Sequence, residues 1–431
     1  MIKNRDIAIL FVIATVFVVV SVLLRTAGFE TSQQQVVTLV NNSMLQFDAV
    51  AKIEIKRDGE EFVFEKQNGV WNQVKPFSIQ MDAASMIALI GAVQGVQVLG
   101  QLEGEASIEL LGVGKDANMI TLFDHDKNIS VRLGRKTLGG RAYATVNESA
   151  VVLVDQSLHI RAVDMDYRLW RDIRLFPNFA IDGTSIERTI DGDTLVIERE
   201  KGRWEMREPV SARVDQAMFA EWVGRLAAAR VGSFVIDEPD DFEMFGLAMP
   251  AAVFTTTDGA GTTRSLLIGG RVSAGSQDRY VSLQGQPVVF RMTWTALSGL
   301  FPMPEMFVDA TGSGVSKFDV KRIVIRSEDK EQFFSRELDR WVDGKGVQAE
   351  NEDIEALLTL LLDTKPPSVA FGSYPRDDEV ATVTFEGYDL APLDTVRIAL
   401  NQEGQWIFEN GDNVLRFHPA EVSEVFAKFL N

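Results

Sequence analysis

Apolar and charged side chains alternate with a period of two through residues 50–56, a pattern typical of a β-strand with one buried face. A turn signal follows at Asp58-Gly59, and residues 62–66 are again rich in apolar side chains. The same order of strand, turn and strand recurs in residues 186–199 and 320–334. The pattern predicts three half-buried β-hairpins at domain-sized intervals.

A tryptophan follows each hairpin at nearly even spacing. Trp71, Trp204 and Trp341 are separated by intervals of 133 and 137 residues, and the first two are followed by Pro76 and Pro209. A period of this length indicates one unit written three times. Their position between a hairpin and a helix favours a packing role, and a platform for a partner or a sugar is the alternative.

An amphipathic helix is predicted after each tryptophan. Asp82 and Asp215 stand eleven residues after Trp71 and Trp204 and are suited to cap a helix. The apolar positions that follow form one face in each unit: Met86, Leu89, Ile90 and Val93; Phe219, Trp222, Val223 and Leu226; Ile354, Leu357, Leu358 and Leu361. The third stripe is shifted by two residues relative to its tryptophan, so the third copy is predicted to be degenerate.

More strands are predicted after the helices. Leu111-Gly112-Val113 corresponds to Phe245-Gly246-Leu247, and three strand-like segments match in pairs: 131–134 with 266–269, 141–144 with 278–281, and 151–154 with 288–291. The third unit keeps fragments at 380–385, 396–400, 406–408 and 414–417. We predict an α+β fold with mainly antiparallel sheets, in repeat units 48–178, 179–314 and 315–431, the last degenerate.

A run of 18 residues without a charge, from Ile7 to Leu24, precedes the repeats. As a helix it spans ~27 Å, close to the hydrocarbon thickness of a bilayer. The run predicts a transmembrane anchor over residues 6–25, with a tail at 1–5 and a stalk at 26–47. A cleaved secretory signal and a buried core helix are the alternatives, but no A-x-A-like site follows and the run is apolar on all sides.

Lys3 and Arg5 precede the run and predict a cytoplasmic N-terminus, although Arg25 on the far side weakens the asymmetry. The rest of the chain is then expected to lie outside the cytoplasm of a bacterium, on the periplasmic side of the inner membrane. The expected partners are the lipid bilayer, through Ile7 to Leu24, and membrane or envelope proteins.

The net charge and the absence of cysteine exclude several classes of function. The chain has 431 residues and a formal charge of −19, from 62 acidic and 43 basic residues. The negative net charge repels the phosphate backbone of nucleic acids, and the sequence contains no basic cluster. We therefore expect no nucleic-acid binding. The absence of cysteine excludes disulfides, thiolate metal sites and cysteine nucleophiles.

Candidate chemical motifs are weak. His125, His159 and His418 are widely spaced, which favours surface or packing roles over metal ligation. The segment from Asp124 to Asn128 resembles the start of a calcium loop, but Ile129 and Arg135 replace the required glycine and glutamate, so a hairpin turn is predicted.

The remaining candidate motifs also favour a structural interpretation over a functional one. Residues 112–115 lack the upstream spacing of a phosphate loop and are predicted to form a turn. No G-x-S-x-G elbow occurs. The pairs Asp240-Asp241 and Asp377-Asp378 are interpreted as solvated loops, and residues 237–241 as a solvated link or a docking strip for a basic partner. We assign no catalytic, cofactor-binding or metal-binding residue, no cofactor, and no enzyme activity.

Several motifs in combination carry a family resemblance: the hairpin, Gly-x-Trp, the proline, the capped helix, and the Phe-Gly-Leu, Leu-Ile-Gly and Arg-Tyr-Val segments. This order resembles a bacterial family of domains of unknown function, family 4340, best over residues 186–291. The resemblance implies an N-terminally anchored extracytoplasmic protein associated with ABC-type transport systems of the gliding-motility kind. It implies no catalytic or binding residues.

The leading hypothesis is a membrane-anchored extracytoplasmic binding or scaffolding protein, an accessory subunit of a transport or motility-like complex. The first alternative is a module that binds envelope polysaccharide through aromatic side chains. The second alternative is a hydrolase that uses carboxylates, although no constellation of base, nucleophile and orienting group is visible.

Overall fold

The computed structural model describes residues 37–102, 107–177, 179–328, 330–338, 340–375 and 378–430. The chain divides into two compact units between Asp172 and Ile173. The predicted tail, the predicted anchor and most of the predicted stalk lie outside the described residues. Within the described part of the chain, no helix is long and apolar enough to cross a membrane.

The first unit contains one sheet of nine strands. Its strands are β1 (Lys52–Arg57), β2 (Glu60–Gln67), β3 (Val70–Lys75), β4 (Ile79–Gln80), β5 (Val98–Gln101), β6 (Asn118–Phe123), β7 (Asn128–Thr137), β8 (Arg141–Val146) and β9 (Val152–Asp155).

The second unit contains two sheets, of nine and eight strands. Sheet two comprises β10 (Gly183–Ile190), β11 (Asp193–Glu200), β12 (Arg203–Glu208), β13 (Ala212–Arg213), β14 (Ser233–Asp237), β15 (Ala252–Asp258), β16 (Thr263–Arg271), β17 (Arg279–Leu283) and β18 (Val288–Met292). Sheet three comprises β19 (Arg322–Ser327), β20 (Glu331–Glu337), β21 (Arg340–Asp343), β22 (Ser368–Phe371), β23 (Glu379–Glu386), β24 (Pro392–Leu400), β25 (Trp406–Glu409) and β26 (Val414–His418).

The three sheets share one strand order. Sheet one runs β4-β3-β2-β1-β6-β7-β8-β9-β5, and sheet two repeats it strand for strand as β13-β12-β11-β10-β15-β16-β17-β18-β14. Sheet three, β21-β20-β19-β23-β24-β25-β26-β22, lacks only the counterpart of the short edge strand β4 among the residues that the structure describes. The predicted α+β class with mainly antiparallel sheets is confirmed. The predicted bounds of the repeat units stay predictions.

The hairpins that open sheets one and two have two-residue turns. Asp58 and Gly59 have φ values of 53° and 86°, and Asp191 and Gly192 have 51° and 92°. Positive φ at both central positions is the requirement of a type I′ turn, whose twist matches the flanking strands.

One long helix follows the first strands of each sheet: α1 (Ala83–Gly95) follows β4, α2 (Gln216–Ala227) follows β13, and α3 (Asn351–Leu362) follows β21. The Asp82 side chain accepts from the Ser85 amide, and the Asp215 side chain accepts from two amides of the first turn of α2. Glu350 precedes α3 and makes no such side-chain bond.

The predicted apolar faces are the buried ones. In all three helices the positions four, seven, eight and eleven residues after the capping position are buried: Met86, Leu89, Ile90 and Val93; Phe219, Trp222, Val223 and Leu226; Ile354, Leu357, Leu358 and Leu361. The shift in the third copy therefore lies in the connection after Trp341, which is two residues shorter. A final helix, α4 (Ser423–Leu430), packs Phe426 against the third core.

Shorter helical turns connect the elements: Phe47–Ala49, Ser157–His159, Ile160–Asp164, Tyr167–Trp170, Phe179–Asp182, Glu243–Phe245, Trp294–Ser298, Pro304–Phe307 and Ala420–Val422.

The repeated Phe-Gly-Leu and Leu-Ile-Gly motifs meet in space. Gly246 has a φ of 67°, and the turn it closes presses the Phe245 carbonyl onto Gly269. A Cβ on Gly269 would lie 2.3 Å from that oxygen and 3.0 Å from Cγ of Leu247. In sheet one, a Cβ on Gly134 would lie 2.5 Å from the Leu111 carbonyl oxygen. Both motifs are therefore packing signals that hold a loop against the sheet.

We predict that Gly269→Ala lowers the free energy of unfolding by about 1–3 kcal/mol, because the added methyl group overlaps backbone atoms. Thermal and urea unfolding of the purified chain measure the change. The matched control is Gly224→Ala on α2, where a Cβ meets nothing within 4 Å and stability should stay equal or rise. Equal losses in both variants would contradict the packing role.

Candidate functional site

The recurring tryptophans lie at the helix–sheet contact. Trp71 and Trp341 are each 3% exposed, which confirms the predicted packing role for these two. Trp204 is half-buried, and its ring lies 4.9 Å from that of Phe219. Its backbone amide and carbonyl both bond to the Gln216 side chain, at 2.9 and 2.8 Å. These two hydrogen bonds connect the first turn of α2 to the backbone of Trp204.

Two of the three histidines are buried. His159 is 3% exposed, its Nε2 lies 3.0 Å from the Gly134 carbonyl oxygen, and burial lowers its pKa. It lines an open cleft of about 440 Å³ in the first unit, beside an ion pair of 2.7 Å between Lys136 and Asp164. His125 is exposed. Among the described residues, no three carboxylate or imidazole groups are placed to hold a metal ion.

His418 is 2% exposed and stacks on Phe408 at 4.1 Å between ring centroids. Burial, and then the positive charge of Arg416, lower the pKa of His418 to about 4. The structure therefore gives His418 the predicted packing role, as a neutral ring in the third core.

The segment that resembles a calcium loop is a hairpin turn, as predicted. It joins β6 to β7, with Phe123 paired to Asn128. The Asp124 carboxylate accepts from the backbone amides of Gln46, Asp126 and Lys127, and these bonds lower its pKa. The hydrogen bonds of the Asp124 carboxylate therefore stabilise the turn. Residues 112–115 also form the predicted turn.

The acidic stretches lie in exposed loops where the structure describes them. Asp240 and Asp241 are exposed, and Asp241 accepts from the Glu243 amide at 2.7 Å. This agrees with the predicted solvated link. Asp377 falls outside the described residues, so the second carboxylate pair is not observed.

Polar groups converge instead where sheets two and three meet. The connection between these sheets contains residues 307–315, here termed the joint segment. On one side, Val308 forms a β-bridge with Val214 next to the edge strand β13. On the other side, the Ser313 amide donates to the Leu361 carbonyl at the end of α3, at 3.0 Å. The joint segment is therefore hydrogen-bonded to both repeats.

A buried arginine holds the joint segment from the third repeat. Arg416 has 0% exposure and binds both carboxylate oxygens of Asp412, at 3.1 and 2.6 Å. Its guanidinium also donates to the carbonyls of Val414 and Asp309, at 3.0 and 3.3 Å. A buried charge of this kind is stable only when paired and hydrogen-bonded.

A second arginine holds the joint segment from the second repeat. Arg213 donates to the Asp309 carboxylate at 3.4 Å and to the Thr311 carbonyl at 2.8 Å. The Ser313 hydroxyl, from a residue that is 1% exposed, donates to Asp394 at 2.6 Å. Bonds from both sheets therefore converge on the same few residues of the joint segment.

The two repeats enclose an open cleft of about 330 Å³ next to this joint, here termed the joint cleft. It is lined by Glu205, Ser211, Ala212 and Arg213 from sheet two and by Asp394, Asn410, Gly411 and Asp412 from sheet three. Of its three carboxylates, Asp412 is paired with the buried Arg416 and Glu205 lies 3.0 Å from Arg207, whereas Asp394 makes no ion pair among the described residues. The unpaired carboxylate of Asp394 favours a cationic or amide-bearing group over an anion.

The sequence does not predict the joint. In β26 the buried positions are Val414, Arg416 and His418, whereas the apolar Leu415 and Phe417 are only half-buried. A period-two pattern read from the sequence would therefore place Arg416 on the outward face. Arg213 and Asp309 carry no local signal either, because they meet only through the tertiary fold.

Residues 204–382 match the family model described as domain of unknown function (DUF4340). The chain contains a DUF4340 domain. The resemblance predicted from the sequence is confirmed over this segment. Comparison with curated proteins gave no match.

The DUF4340 segment begins at the tryptophan of the second repeat and ends within β23 of the third. It therefore includes α2, the joint segment, α3 and Arg213. It excludes Arg416 and the sheet-three wall of the joint cleft.

The first prediction from this site concerns pH. An unfolded histidine titrates near 6.5, whereas folded His418 titrates near 4, so the unfolded state binds more protons between these values. Stability should therefore fall as pH falls from about 6.5 to about 4. In His418→Phe, which keeps an aromatic ring beside Phe408, the fall should be shallower. The free energy of unfolding, measured at several pH values across this range, tests the prediction. The control is His125→Phe, at an exposed position. Parallel pH profiles for the unmodified chain and both variants would refute the prediction.

The second prediction concerns the joint. Arg416→Met should lower the free energy of unfolding by about 3–5 kcal/mol, because it leaves the Asp412 carboxylate unpaired at a mostly buried position. The control is Arg326→Met, which breaks an exposed pair with Glu331 and should cost less than ~1 kcal/mol. Denaturant unfolding of the purified chain provides the comparison. Similar losses in the two variants would show that the buried arginine does not hold the joint.

Proposed function

We propose that the chain is a single-pass membrane-anchored extracytoplasmic scaffolding protein whose joint cleft binds a basic segment of a membrane or envelope partner. The main support for this proposal is the joint segment, which Arg213 binds from sheet two and Arg416 binds from sheet three. A rigid pair of repeats presents a fixed surface, and binding to it needs little further ordering of the protein.

The chemistry of the cleft supports a basic partner. Asp394, Asp412 and Glu205 line it together with Arg213, and the whole chain carries a formal charge of −19. Such a field attracts cationic segments and accelerates their encounter. The segment that docks is therefore expected to carry lysine or arginine.

Membrane attachment is proposed from the uncharged run at residues 7–24, which has the length of a bilayer span. The association with an ABC-type transport or motility-like complex is proposed from the family resemblance alone. Two of the three recurring tryptophans give the polysaccharide alternative no support, because Trp71 and Trp341 have no exposed face for a sugar, whereas Trp204 is half-buried.

Co-purification from solubilised membranes tests the binding proposal. Ser211→Lys places a cation in the joint cleft at an exposed position and should reduce capture of a basic partner by about tenfold or more. The matched control is Ser78→Lys, an exposed serine that also lies two residues after a repeat proline. Equal capture by both variants, or no partner from intact membranes, would refute the proposal.

Topology is measured in the same strains. A reporter enzyme that is active only outside the cytoplasm, fused after Asn431, should be active and sediment with membranes. Deletion of residues 1–25 should release the chain from the membrane fraction. A well-expressed but silent fusion would refute the orientation while leaving the joint cleft unaffected.

A further inference from the structure

We infer that Asp394 is the residue of the joint cleft that binds the basic segment, and that its hydrogen bond to Ser313 couples binding to the stability of the joint segment. The inference rests on the proposed cationic ligand of the cleft. Both other carboxylates of the cleft have arginine partners, whereas Asp394 makes no ion pair among the described residues. A ligand cation is therefore expected to pair with Asp394.

The Asp394 carboxylate is held in place before any ligand arrives. It stands near the start of β24 and is half-buried. One of its oxygens accepts from the Thr395 backbone amide at 2.8 Å, and the other accepts from the Ser313 hydroxyl at 2.6 Å. Both donors are neutral, so the negative charge stays available to a ligand. A carboxylate that is already oriented loses little conformational freedom on binding.

The other repeats show that the fold does not require a carboxylate at this position. A pair of hydroxyl groups on neighbouring strands marks the same place in each sheet, 2.9 to 3.0 Å apart: Thr121 and Ser130, Thr255 and Ser265, Thr384 and Thr395. The residue before the second hydroxyl is Ile129 in sheet one, Arg264 in sheet two and Asp394 in sheet three. The negative charge at this position is therefore specific to the third repeat.

The contact between this position and the incoming connection occurs in two sheets. Arg264 donates to the Leu175 carbonyl at 3.2 Å, and the Leu175 amide donates to the Ala229 carbonyl just after α2 ends. Ser313 is placed in the same way, because its amide donates to a carbonyl at the end of α3. In sheet three the residue that holds the connection also lines a cleft, so a ligand of that cleft contacts a group bonded to the joint segment.

This shared carboxylate couples binding to the joint. Opening of the joint segment breaks the bond between Ser313 and Asp394 and frees the carboxylate from its binding position. A ligand that binds only the closed arrangement stabilises that arrangement by mass action. By linkage, a basic segment in the joint cleft should make the joint segment open less often.

Amide hydrogen exchange of residues 309–315 tests the coupling, with tetralysine as the probe and the purified full chain as the protein. The dissociation constant is measured first by calorimetry. At about ten times that constant, tetralysine should slow exchange of the joint segment about tenfold, because exchange then requires loss of the probe. The α2 peptides serve as a folding control, and their exchange should be the same in every variant.

Ser313→Ala removes the coupling bond and leaves the carboxylate. This variant should still bind tetralysine, with an affinity reduced by less than about tenfold, the usual effect of one hydrogen bond. At about ten times its own dissociation constant, the slowing of exchange in 309–315 should fall to about twofold or less. The matched control is Ser316→Ala, an exposed serine just beyond the joint segment, which should keep the full slowing.

Asp394→Asn removes the charge at nearly constant shape and should weaken tetralysine binding by about tenfold or more. The matched control is Asp240→Asn, at an exposed position without an ion pair among the described residues, and its binding should be unchanged. Equal binding by the two variants would show that tetralysine responds to the overall negative charge, and would overturn the assignment of Asp394.

The outcomes separate this inference from the proposed function. Tetralysine that binds through Asp394 without slowing exchange in 309–315, or full slowing in Ser313→Ala, would overturn the coupling and leave the cleft as a cation site. No binding by the unmodified chain would overturn both. Binding with the expected slowing, but no partner captured from membranes, would support the coupling and contradict the scaffolding proposal.

Discussion

The burial of one helix face against one sheet face is the constraint on which the structure depends. In each repeat the same four positions after the cap enter the core, and the preceding tryptophan lies at the first turn of the helix. An antiparallel sheet with one apolar face needs such a cover. This requirement accounts for the tryptophans, the capping aspartates and the glycines pressed against loop carbonyls, of which only the tryptophans have a binding platform as an alternative interpretation in the sequence.

Comparison of the repeats distinguishes residues with a structural role from residues that are open to other roles. Residues shared by all copies stabilise the core of each copy. Residues that occur in one copy, or at the contact between two copies, are not constrained in this way. Arg213, Asp309 and Arg416 belong to the joint between two copies. A joint segment that is hydrogen-bonded from both sides supports the proposal of a protein that positions other molecules.

The net charge of the chain is negative, and hydrogen bonds already hold the Asp394 and Asp412 carboxylates of the joint cleft in place. Under the proposed function, these carboxylates would receive a cationic segment at little conformational cost.

The sequence alone determined the repeat, the hairpins, the helix faces and the α+β class, because period-two and helical patterns report which side chains enter a core. It also indicated the family resemblance and the packing role of Trp71 and Trp341. Only the tertiary structure brought Arg213, Asp309 and Arg416 together, since residues about a hundred positions apart meet through sheet order.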